Sequence, residues 1–418
     1  MTLFKKEEKK IMCPLCFVRY PLTEVEYFCN CKKEKLEEQA NNATDLNTQR
    51  ELRDKVAKTE PTIIKYKKGS VKCSENDCNK NLDRYAIRCP KCKKTLPEIL
   101  FEEKIEQLPF ALIGTSGAGK TVYMHLMLRE MNNTNNLKLT IEHIGVETIN
   151  MHDKVLAEIK EGKKPEATKE VDVESSMWTV KNGNDEGKNK IKTYFFNIFD
   201  GAGESQERSK GSFEQLSEKD KAYILSSEAI IFVVDPLKLN NFENILDPGE
   251  SDFSKRNVVD EYDPAVLIKK IAEGIRKDKK LGSNYIIDDM DIAVVFTKMD
   301  LFWEKLNPVQ PRKDRFTENQ LSLDTMVKKS PHADLGYFDY SDCDAVHENM
   351  IKFLEKYGNS FLNALFNCFA KNKCKLFGVS STGSPPPSLK NLPSNIKPHR
   401  VLDPILWLLV RNGIINGI

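Results

Sequence analysis

The sequence lacks a long hydrophobic run and a strong excess of either charge. Its 418 residues include 64 Lys and Arg against 62 Asp and Glu, which gives a net charge of +2. Because no apolar stretch approaches the ~18 residues that a membrane-crossing helix needs, no transmembrane segment is expected. A net charge this small provides no global field that would attract nucleic acid or a membrane surface, which argues against both as partners.

Secretory features are also missing from the sequence. Met1 leads into a Lys- and Glu-rich stretch rather than an apolar signal segment, so we expect a cytoplasmic protein. In that reducing compartment the eleven cysteines are expected to be metal ligands or buried thiols, not disulfides. His125 and His143 fall in predicted regular elements and are interpreted as packing residues, whereas His332, His347 and His399 form no paired constellation; the sequence assigns none of the six histidines a function.

The chain divides into two regions of different composition. Residues 1–108 are rich in cysteine and charged residues, and their centre, 32–58, reads as a solvated helix or a flexible spacer. Residues 109–418 alternate strand-like and helix-like segments, which predicts an α/β domain with a mostly parallel sheet and helices on both faces. Two polar segments, near 240–263 and 305–341, are interpreted as insertions at the rim of the sheet.

Seven strands and six helices are predicted in the second region. Hydrophobic periodicity places the strands near residues 109–113, 138–144, 176–181, 191–199, 229–235, 291–297 and 375–380. The helices are expected near 119–131, 147–160, 212–226, 264–277, 346–369 and 403–413. The fourth and fifth strands are near-continuous apolar runs that end in aspartate, which is typical of buried parallel strands.

The first of these strands runs into a complete phosphate-binding loop. The pattern G-x-x-x-x-G-K-[ST] is matched at every position by Gly114-Thr115-Ser116-Gly117-Ala118-Gly119-Lys120-Thr121. Glycines allow backbone N–H groups to face a phosphate. Lys120 can then reach the β- and γ-phosphates, and the Thr121 hydroxyl can ligate Mg²⁺. A chance match in a Gly-rich turn is the alternative, which the preceding strand and following helix disfavour.

A D-x-x-G motif follows the fourth strand. Asp200 can hold Mg²⁺, usually through water, and Gly203 can bring its N–H against the γ-phosphate where a side chain would clash. An ordinary Asp-Gly turn is the alternative. Glu204 comes next, and its negative charge beside an anionic γ-phosphate is repulsive unless Mg²⁺ or an arginine offsets it. The motif therefore predicts a Mg²⁺ site with slow phosphate chemistry.

A guanine-specificity motif, [NT]-K-x-D, follows the sixth strand. In Thr297-Lys298-Met299-Asp300, the aspartate can accept hydrogen bonds from guanine N1–H and N2–H₂, a donor pair that adenine lacks. The Lys298 stem can pack along the face of the base. A charged turn after a strand is the alternative. The last strand ends at Ser380 and Ser381, which resemble an S-A-[KL] loop whose backbone amides touch guanine O6.

These four elements, in this order at strand ends, resemble the Ras-like branch of P-loop GTPases over most of residues 109–418. The resemblance implies a Mg²⁺-dependent enzyme that hydrolyses GTP to GDP and phosphate, with switch segments that order around the γ-phosphate. A narrower resemblance is to bacterial double-GTPase-type proteins of GTPase-associated systems, which often carry N-terminal zinc ribbons. It is carried by Asp-x-x-Gly-Glu, a Pro-x-x-Thr segment and the closing segment 400–409. Within that segment, 403–409 is equally well interpreted as an amphipathic helix that packs on the sheet.

The family resemblance also implies a switch I threonine that ligates Mg²⁺. Thr168, in a polar loop before the third strand, is the best candidate, with Thr148 as the runner-up and Thr179 less suited because it lies in a strand. Many relatives have glutamine where this chain has Glu204, so weak turnover is expected. A GTP-binding scaffold that hydrolyses negligibly is the second hypothesis, and an ATP-using enzyme is the third.

Eight cysteines form four close pairs in the first region, at Cys13, Cys16, Cys29, Cys31, Cys73, Cys78, Cys89 and Cys92. Two short turns of this kind can present four thiolates tetrahedrally, which predicts two structural Zn²⁺ sites, with iron–sulfur as the minority interpretation. The first two pairs are grouped at one site and the last two at the other, and a cross-braced arrangement stays open. Protein partners are expected at this module and at the switches, with a homodimer or a partner GTPase left open.

Overall fold

Two compact units make up the chain. The computed structural model describes residues 10–60, 62–64, 73, 78, 86–101, 105–165, 175–182, 193–200, 213, 216–239, 263–303, 324–387 and 391–418. Backbone contacts divide the chain into Met1–Ile105 and Glu106–Ile418. No helix within these described ranges combines the length and the apolar character needed to cross a membrane.

In its described residues, the smaller unit contains short strands and two α-helices. Its strands are β1 (Lys10–Met12), β2 (Arg19–Pro21), β3 (Glu26–Cys29), β4 (Thr62–Ile64) and β5 (Ala86–Arg88). β1 pairs with β2, and β3 lies between β4 and β5, all antiparallel. Helices α1 (Cys31–Asn42) and α2 (Leu46–Lys58) follow β3. For this stretch the sequence predicted either a solvated helix or a flexible spacer, and the structure has helices. Asp45 begins α2 by accepting the Thr48 N–H at 2.8 Å.

The larger unit contains a seven-stranded sheet. Its strands are β6 (Ile105–Gly114), β7 (Leu139–His143), β8 (Ser175–Asn182), β9 (Thr193–Asp200), β10 (Ala229–Val234), β11 (Asp291–Phe296) and β12 (Cys374–Gly378). Their order across the sheet is β12-β11-β10-β6-β9-β8-β7. β6, β10, β11 and β12 are parallel, whereas β7 and β8 add an antiparallel edge through the pairs β7–β8 and β8–β9. The predicted α/β class is confirmed.

Helices connect these strands, and two of them differ from the prediction. The described helices are α3 (Lys120–Asn133), α4 (Val146–Lys160), α5 (Glu218–Ser226), α6 (Pro264–Asp278), α7 (Asp324–Val327), α8 (His332–Leu335), α9 (Tyr340–Tyr357), α10 (Asn359–Cys368) and α11 (Asp403–Arg411). The single helix expected over 346–369 is two helices, because the chain leaves the helix at Gly358. α5 begins later than expected, where Ser217 accepts the Asp220 N–H at 3.0 Å.

Alternate residues of the central strands bury against helices on opposite faces of the sheet. Phe232 of β10 packs on Phe361 of α10, with ring centroids 6.0 Å apart. Its neighbour Val233 joins the cluster on the other face, which includes Tyr123 of α3 and Trp407 of α11. Successive side chains of a strand point to opposite faces, so a strand that is apolar throughout must be covered on both. This burial positions the phosphate-loop helix directly against the sheet.

Candidate nucleotide site and metal centres

The phosphate-loop motif forms the turn between β6 and α3. Gly117 and Gly119 have φ values of 69° and 83°, in the left-handed region that glycine adopts without strain. Gly114 ends β6, and a Cβ there would lie 2.2 Å from the carbonyl oxygen of Val233 in β10. The three glycines therefore serve two purposes, since two shape the loop and one allows two strands to approach closely.

Lys120 is held inside the loop. Its side chain is buried, and Nζ donates to the carbonyl oxygens of Gly114 at 2.9 Å and Thr115 at 3.2 Å. The Ala118 N–H closes the same turn on the Thr115 carbonyl at 3.2 Å. A buried ammonium at the first residue of a helix, where the helix N–H groups are unpaired within the helix, favours an anionic ligand. Thr121, the second residue of α3, lies beside it and is half-buried.

The T-K-x-D segment is tied directly to this loop. Thr297 Oγ1 donates to the Ala118 carbonyl at 2.7 Å. Lys298 Nζ donates to the Gly117 carbonyl at 3.0 Å and pairs with Asp235 Oδ2 at 2.5 Å. The contacts with Ala118 and Gly117 join the end of β11 to the loop that follows β6, and the contact with Asp235 joins it to the end of β10. The segment that the sequence assigns to the base thus lies against the segment that it assigns to the phosphates.

Asp300 presents a buried carboxylate beside these contacts. It is 8% exposed, and its Oδ1 has no hydrogen-bond partner among the residues that the structure describes. Burial raises the pKa of Asp300, and a hydrogen bond with the Ser380 side chain opposes that shift. A buried carboxylate oxygen without a donor is costly. Two adjacent N–H donors on the edge of a base would remove that cost, so the residues present fit a guanine.

The Ser380 N–H, which the resemblance assigns to guanine O6, is already bonded within the chain. Its N–H donates to the His399 carbonyl at 3.1 Å, and the His399 N–H returns to the Ser380 carbonyl at 2.8 Å. The Ser380 N–H is therefore bonded within the chain. The Ser380 hydroxyl contacts Asp300 and accepts the Gly383 N–H at 2.8 Å. Ser381 follows in the same loop and is half-buried.

The predicted Mg²⁺ and hydrolysis residues are only partly within the described chain. Asp200 is the last residue of β9, which lies next to β6 in the sheet, so the strand end that carries it neighbours the strand that carries the phosphate loop. Thr168, Gly203 and Glu204 lie outside the described residues. Their roles stay predictions.

The other two switch threonine candidates are built into regular elements. Thr148 lies in α4, is buried, and its Oγ1 accepts the Met177 N–H at 3.4 Å. Thr179 lies in β8, is fully buried, and its hydroxyl contacts Glu142 Oε2 at 3.5 Å. Both hydroxyls are thus engaged in holding α4 and β7 to β8.

The strand order and the loop geometry together indicate the fold of the larger unit. The phosphate-loop strand lies at the centre between β10 and β9, and the ends of β6 and β11 meet at the loop. The larger unit has the P-loop GTPase fold. Its site resembles that of Ras-like members, with the phosphate loop, the strand-end aspartate and the T-K-x-D segment in the same order along the chain.

No protein-family model and no curated protein sequence matches the chain. Among solved structures, the Ski7 GTPase-like domain of S. cerevisiae, bound to GDP and inorganic phosphate, matches at 13% identity and a TM-score of 0.29, covering 73% of this chain and 50% of that one. The Arl6 BBS3 small GTPase of Trypanosoma brucei, with bound GppNp, matches at 11% identity and a TM-score of 0.28, covering 74% and 98%.

A third match is the signal recognition particle receptor SRb-GTP/SRX complex of Chaetomium thermophilum, at 12% identity and a TM-score of 0.27, covering 67% of this chain and 93% of that one. This chain spans half the length of the Ski7 structure that it matches. Because the identities and TM-scores are low, the fold class follows from the strand order and the loop geometry instead.

The eight paired cysteines form two four-thiol clusters in the smaller unit. The outer cluster, as we name it, is Cys13, Cys16, Cys89 and Cys92, and the inner cluster is Cys29, Cys31, Cys73 and Cys78. The Sγ–Sγ distances are 3.8 and 3.6 Å in the outer cluster and 3.5 and 3.6 Å in the inner one. Four thiolates around a tetrahedral Zn²⁺ with ~2.3 Å bonds lie about 3.8 Å apart, so both clusters fit the metal.

This grouping corrects the sequential one expected from the sequence. The first and fourth pairs share one turn geometry, in which the Phe17 N–H donates to the Cys13 carbonyl and the Lys93 N–H to the Cys89 carbonyl. Phe17 and Lys93 also have nearly equal positive φ values, 60° and 59°. Two equivalent turns facing each other make the outer cluster, and the inner cluster lies within the chain segment between them. Spacing within a pair could not reveal which distant pairs meet.

A third group of potential ligands is not a metal site. His332, Asp342 and Asp403 place a nitrogen and two carboxylates within 4.8 Å of one another. Arg400 Nη1 already binds both carboxylates, at 2.8 and 2.7 Å. The Asp339 N–H donates to His332 Nδ1 at 3.1 Å, so in the neutral ring the proton is on Nε2. A protonated Nε2 cannot ligate a metal, and the cluster instead anchors the start of α11.

Proposed function

We propose that this chain binds GTP and hydrolyses it to GDP and phosphate as a molecular switch. The observation that carries the proposal is the buried Oδ1 of Asp300, which has no hydrogen-bond partner among the described residues and lies in a segment tied to the phosphate loop. Guanine satisfies a carboxylate with N1–H and N2–H₂, and adenine leaves it unpaired. The nucleotide assignment therefore depends on one side chain whose burial makes the wrong base costly.

The phosphate chemistry is proposed for three side chains. Lys120, held by its two loop carbonyls, would carry the charge of the β- and γ-phosphates. Thr121 and Asp200 would hold Mg²⁺, which when bound neutralises charge that develops on the transferred phosphate. Thr168 and Gly203 are proposed to complete this group when the switch segments order around the nucleotide.

Hydrolysis is proposed to be slow because of Glu204. A carboxylate next to an anionic γ-phosphate raises the local negative charge, where a neutral glutamine would position water without that repulsion. Single-turnover hydrolysis of bound GTP should be measurable but weak, and Glu204→Gln should increase the rate. Glu273→Gln, an exposed change on α6, is the matched control.

The same residue supports a second candidate function, a GTP-binding scaffold without useful hydrolysis. If bound GTP stays intact in single-turnover conditions and Glu204→Gln does not restore cleavage, the scaffold is the better account. If the wild-type chain hydrolyses rapidly and Glu204→Ala leaves the rate unchanged, the proposed repulsion is wrong. An ATPase is the third alternative, and competition between GTP and ATP separates it from the first two.

For the smaller unit we propose two structural Zn²⁺ ions and a role in docking a protein partner. All four positions of each cluster are cysteine, which leaves no open coordination position for catalysis. Two arrangements have to be distinguished, a homodimer of this chain and a complex with a different GTPase. Light scattering of the full chain with GTP and with GDP distinguishes them, since a GTP-dependent doubling of mass indicates a homodimer.

A further inference from the structure

A lysine outside every motif also contacts the phosphate loop. Lys238 closes a short 3₁₀ turn, Pro236–Lys238, that directly follows β10. Asp235 sets this turn, because its Oδ1 accepts the Leu237 N–H at 3.1 Å and its carbonyl accepts the Lys238 N–H at 3.0 Å. From there Lys238 Nζ donates to the carbonyl oxygen of Ser116, in the middle of the loop, at 2.7 Å.

Asp235 connects this contact to the T-K-x-D segment. The residue is 1% exposed, and while Oδ1 caps the turn that carries Lys238, Oδ2 accepts from Lys298 Nζ at 2.5 Å. Three consecutive loop carbonyls, those of residues 116, 117 and 118, are consequently held by Lys238, Lys298 and Thr297. The donors come from the ends of two neighbouring parallel strands, β10 and β11.

These contacts act through the loop peptides, on the carbonyl side opposite the N–H groups expected to face a phosphate. The carbonyl oxygen of Ser116 and the N–H of Gly117 belong to one peptide group, so an ammonium on the oxygen polarises the N–H. The loop also contains two glycines with positive φ, whose conformational freedom would otherwise have to be lost on binding. Fixing the carbonyls beforehand reduces that cost and strengthens the donors.

We propose that Lys238 is a positioning residue of the phosphate site, which holds the Ser116–Gly117 peptide in the form that binds a nucleoside diphosphate or triphosphate. The inference deepens the proposed guanine-nucleotide function and depends on it. Lys238 acts through the loop peptide, so its effect belongs to the β-phosphate and not to the base.

The test compares GDP with GMP, which lacks the β-phosphate, in equilibrium titrations of the full chain. Lys238→Met removes the ammonium and keeps the apolar stem, Lys238→Arg keeps a donor, and Lys154→Met on the exposed surface of α4 is the control. Lys238→Met should weaken GDP binding about tenfold, which corresponds to about 1.4 kcal/mol. GMP binding should change little, and Lys238→Arg should restore most of the GDP affinity.

The outcomes separate the two proposals. If the wild-type chain binds neither GDP nor GTP, the proposed function fails and the inference fails with it. If the wild type binds GDP and Lys238→Met binds it equally well, only the role of Lys238 is overturned. Equal losses for GDP and GMP, together with a lower unfolding temperature, would assign Lys238 to fold stability and also overturn the inference.

Discussion

A single buried carboxylate decides the chemistry of the nucleotide site. Asp300 is tied to the sheet through its 3₁₀ turn, yet Oδ1 has no donor within the described parts of the chain. An unpaired buried polar group of this kind costs about 1–3 kcal/mol, and more when it is charged. The unpaired carboxylate therefore destabilises the free protein, and a guanine that pairs with it removes this destabilisation. Adenine does not, and the difference in binding free energy between the two bases is the source of the predicted specificity.

The ionisation of Asp300 predicts how nucleotide affinity depends on pH. The charged carboxylate is the form that accepts the base N–H groups, and burial raises its pKa in the free protein. GDP affinity should be full above that raised pKa and should fall as the pH is lowered through it, at a higher pH than an ordinary aspartate would give. Calorimetric titrations between neutral and mildly acidic pH measure this, with circular dichroism at each pH to confirm the fold. An affinity that stays constant over this range contradicts the assignment.

The site side chains that the sequence predicted lie within contiguous motifs. Lys120, Lys298 and Asp300 lie in short patterns whose chemistry fixes their spacing. In the structure Lys120 and Lys298 both contact carbonyls of the phosphate loop, and the buried Asp300 follows Lys298 by two positions. Lys238 belongs to no pattern, because its contact with Ser116 joins residues 122 positions apart. The hydrogen bonds between Ser380 and His399 are likewise tertiary, which is why the occupied amide of Ser380 was missed.

At the scale of elements, the site depends on the close approach of β6 and β10. Gly114 lies at the last position of β6, where Val233 of β10 leaves no room for a Cβ. The positions of these strands were predictable because β10 is apolar throughout, and because the second half of β6 is apolar and runs into the phosphate-loop motif. The first half of β6 contains Glu106 and Gln107, which is why its start at Ile105 was not predicted. The break at Gly358 was not, because the apolar pattern continues through it from α9 into α10.

Gly114→Ala should destabilise the larger unit without altering any side chain of the nucleotide site. A Cβ placed 2.2 Å from the Val233 carbonyl must push the two strands apart, and overpacking of this kind costs about 1–3 kcal/mol. Thermal unfolding followed by circular dichroism measures the loss. Gly282→Ala is the matched control, since a Cβ there meets no atom within 4 Å. Equal unfolding temperatures for the two variants would contradict the described strand contact.

For the whole molecule, the cysteine clusters show how a local pattern can be recognised while its long-range pairing stays hidden. The spacing within each pair was enough to predict two Cys₄ sites. Which pairs meet depends on the two equivalent turns at Cys13 and Cys89 facing each other, and on antiparallel pairing of β3 with β4 and β5. Along the sequence, the four cysteines of the inner cluster therefore lie between the two cysteine pairs of the outer cluster.

Metal content distinguishes this nested grouping from the alternatives. The wild-type chain should hold two Zn²⁺ ions. The double variant Cys13→Ser/Cys92→Ser removes two ligands from the outer cluster and should retain one ion, whereas Cys13→Ser/Cys29→Ser damages both clusters and should retain none. Inductively coupled plasma mass spectrometry of the purified proteins gives the counts. Retention of an ion by the second variant but not by the first would restore the sequential grouping.

The central claim, that a guanine base lies against Asp300 above the phosphate loop, is tested most directly by competition of nucleotides for the full chain. GTP should displace a labelled guanine nucleotide at least about a hundredfold better than ATP, and Asp300→Asn should shift this preference towards xanthosine triphosphate. Lys154→Met provides the control for an unrelated surface change. Equal competition by ATP and GTP, or no binding of either, would contradict the account.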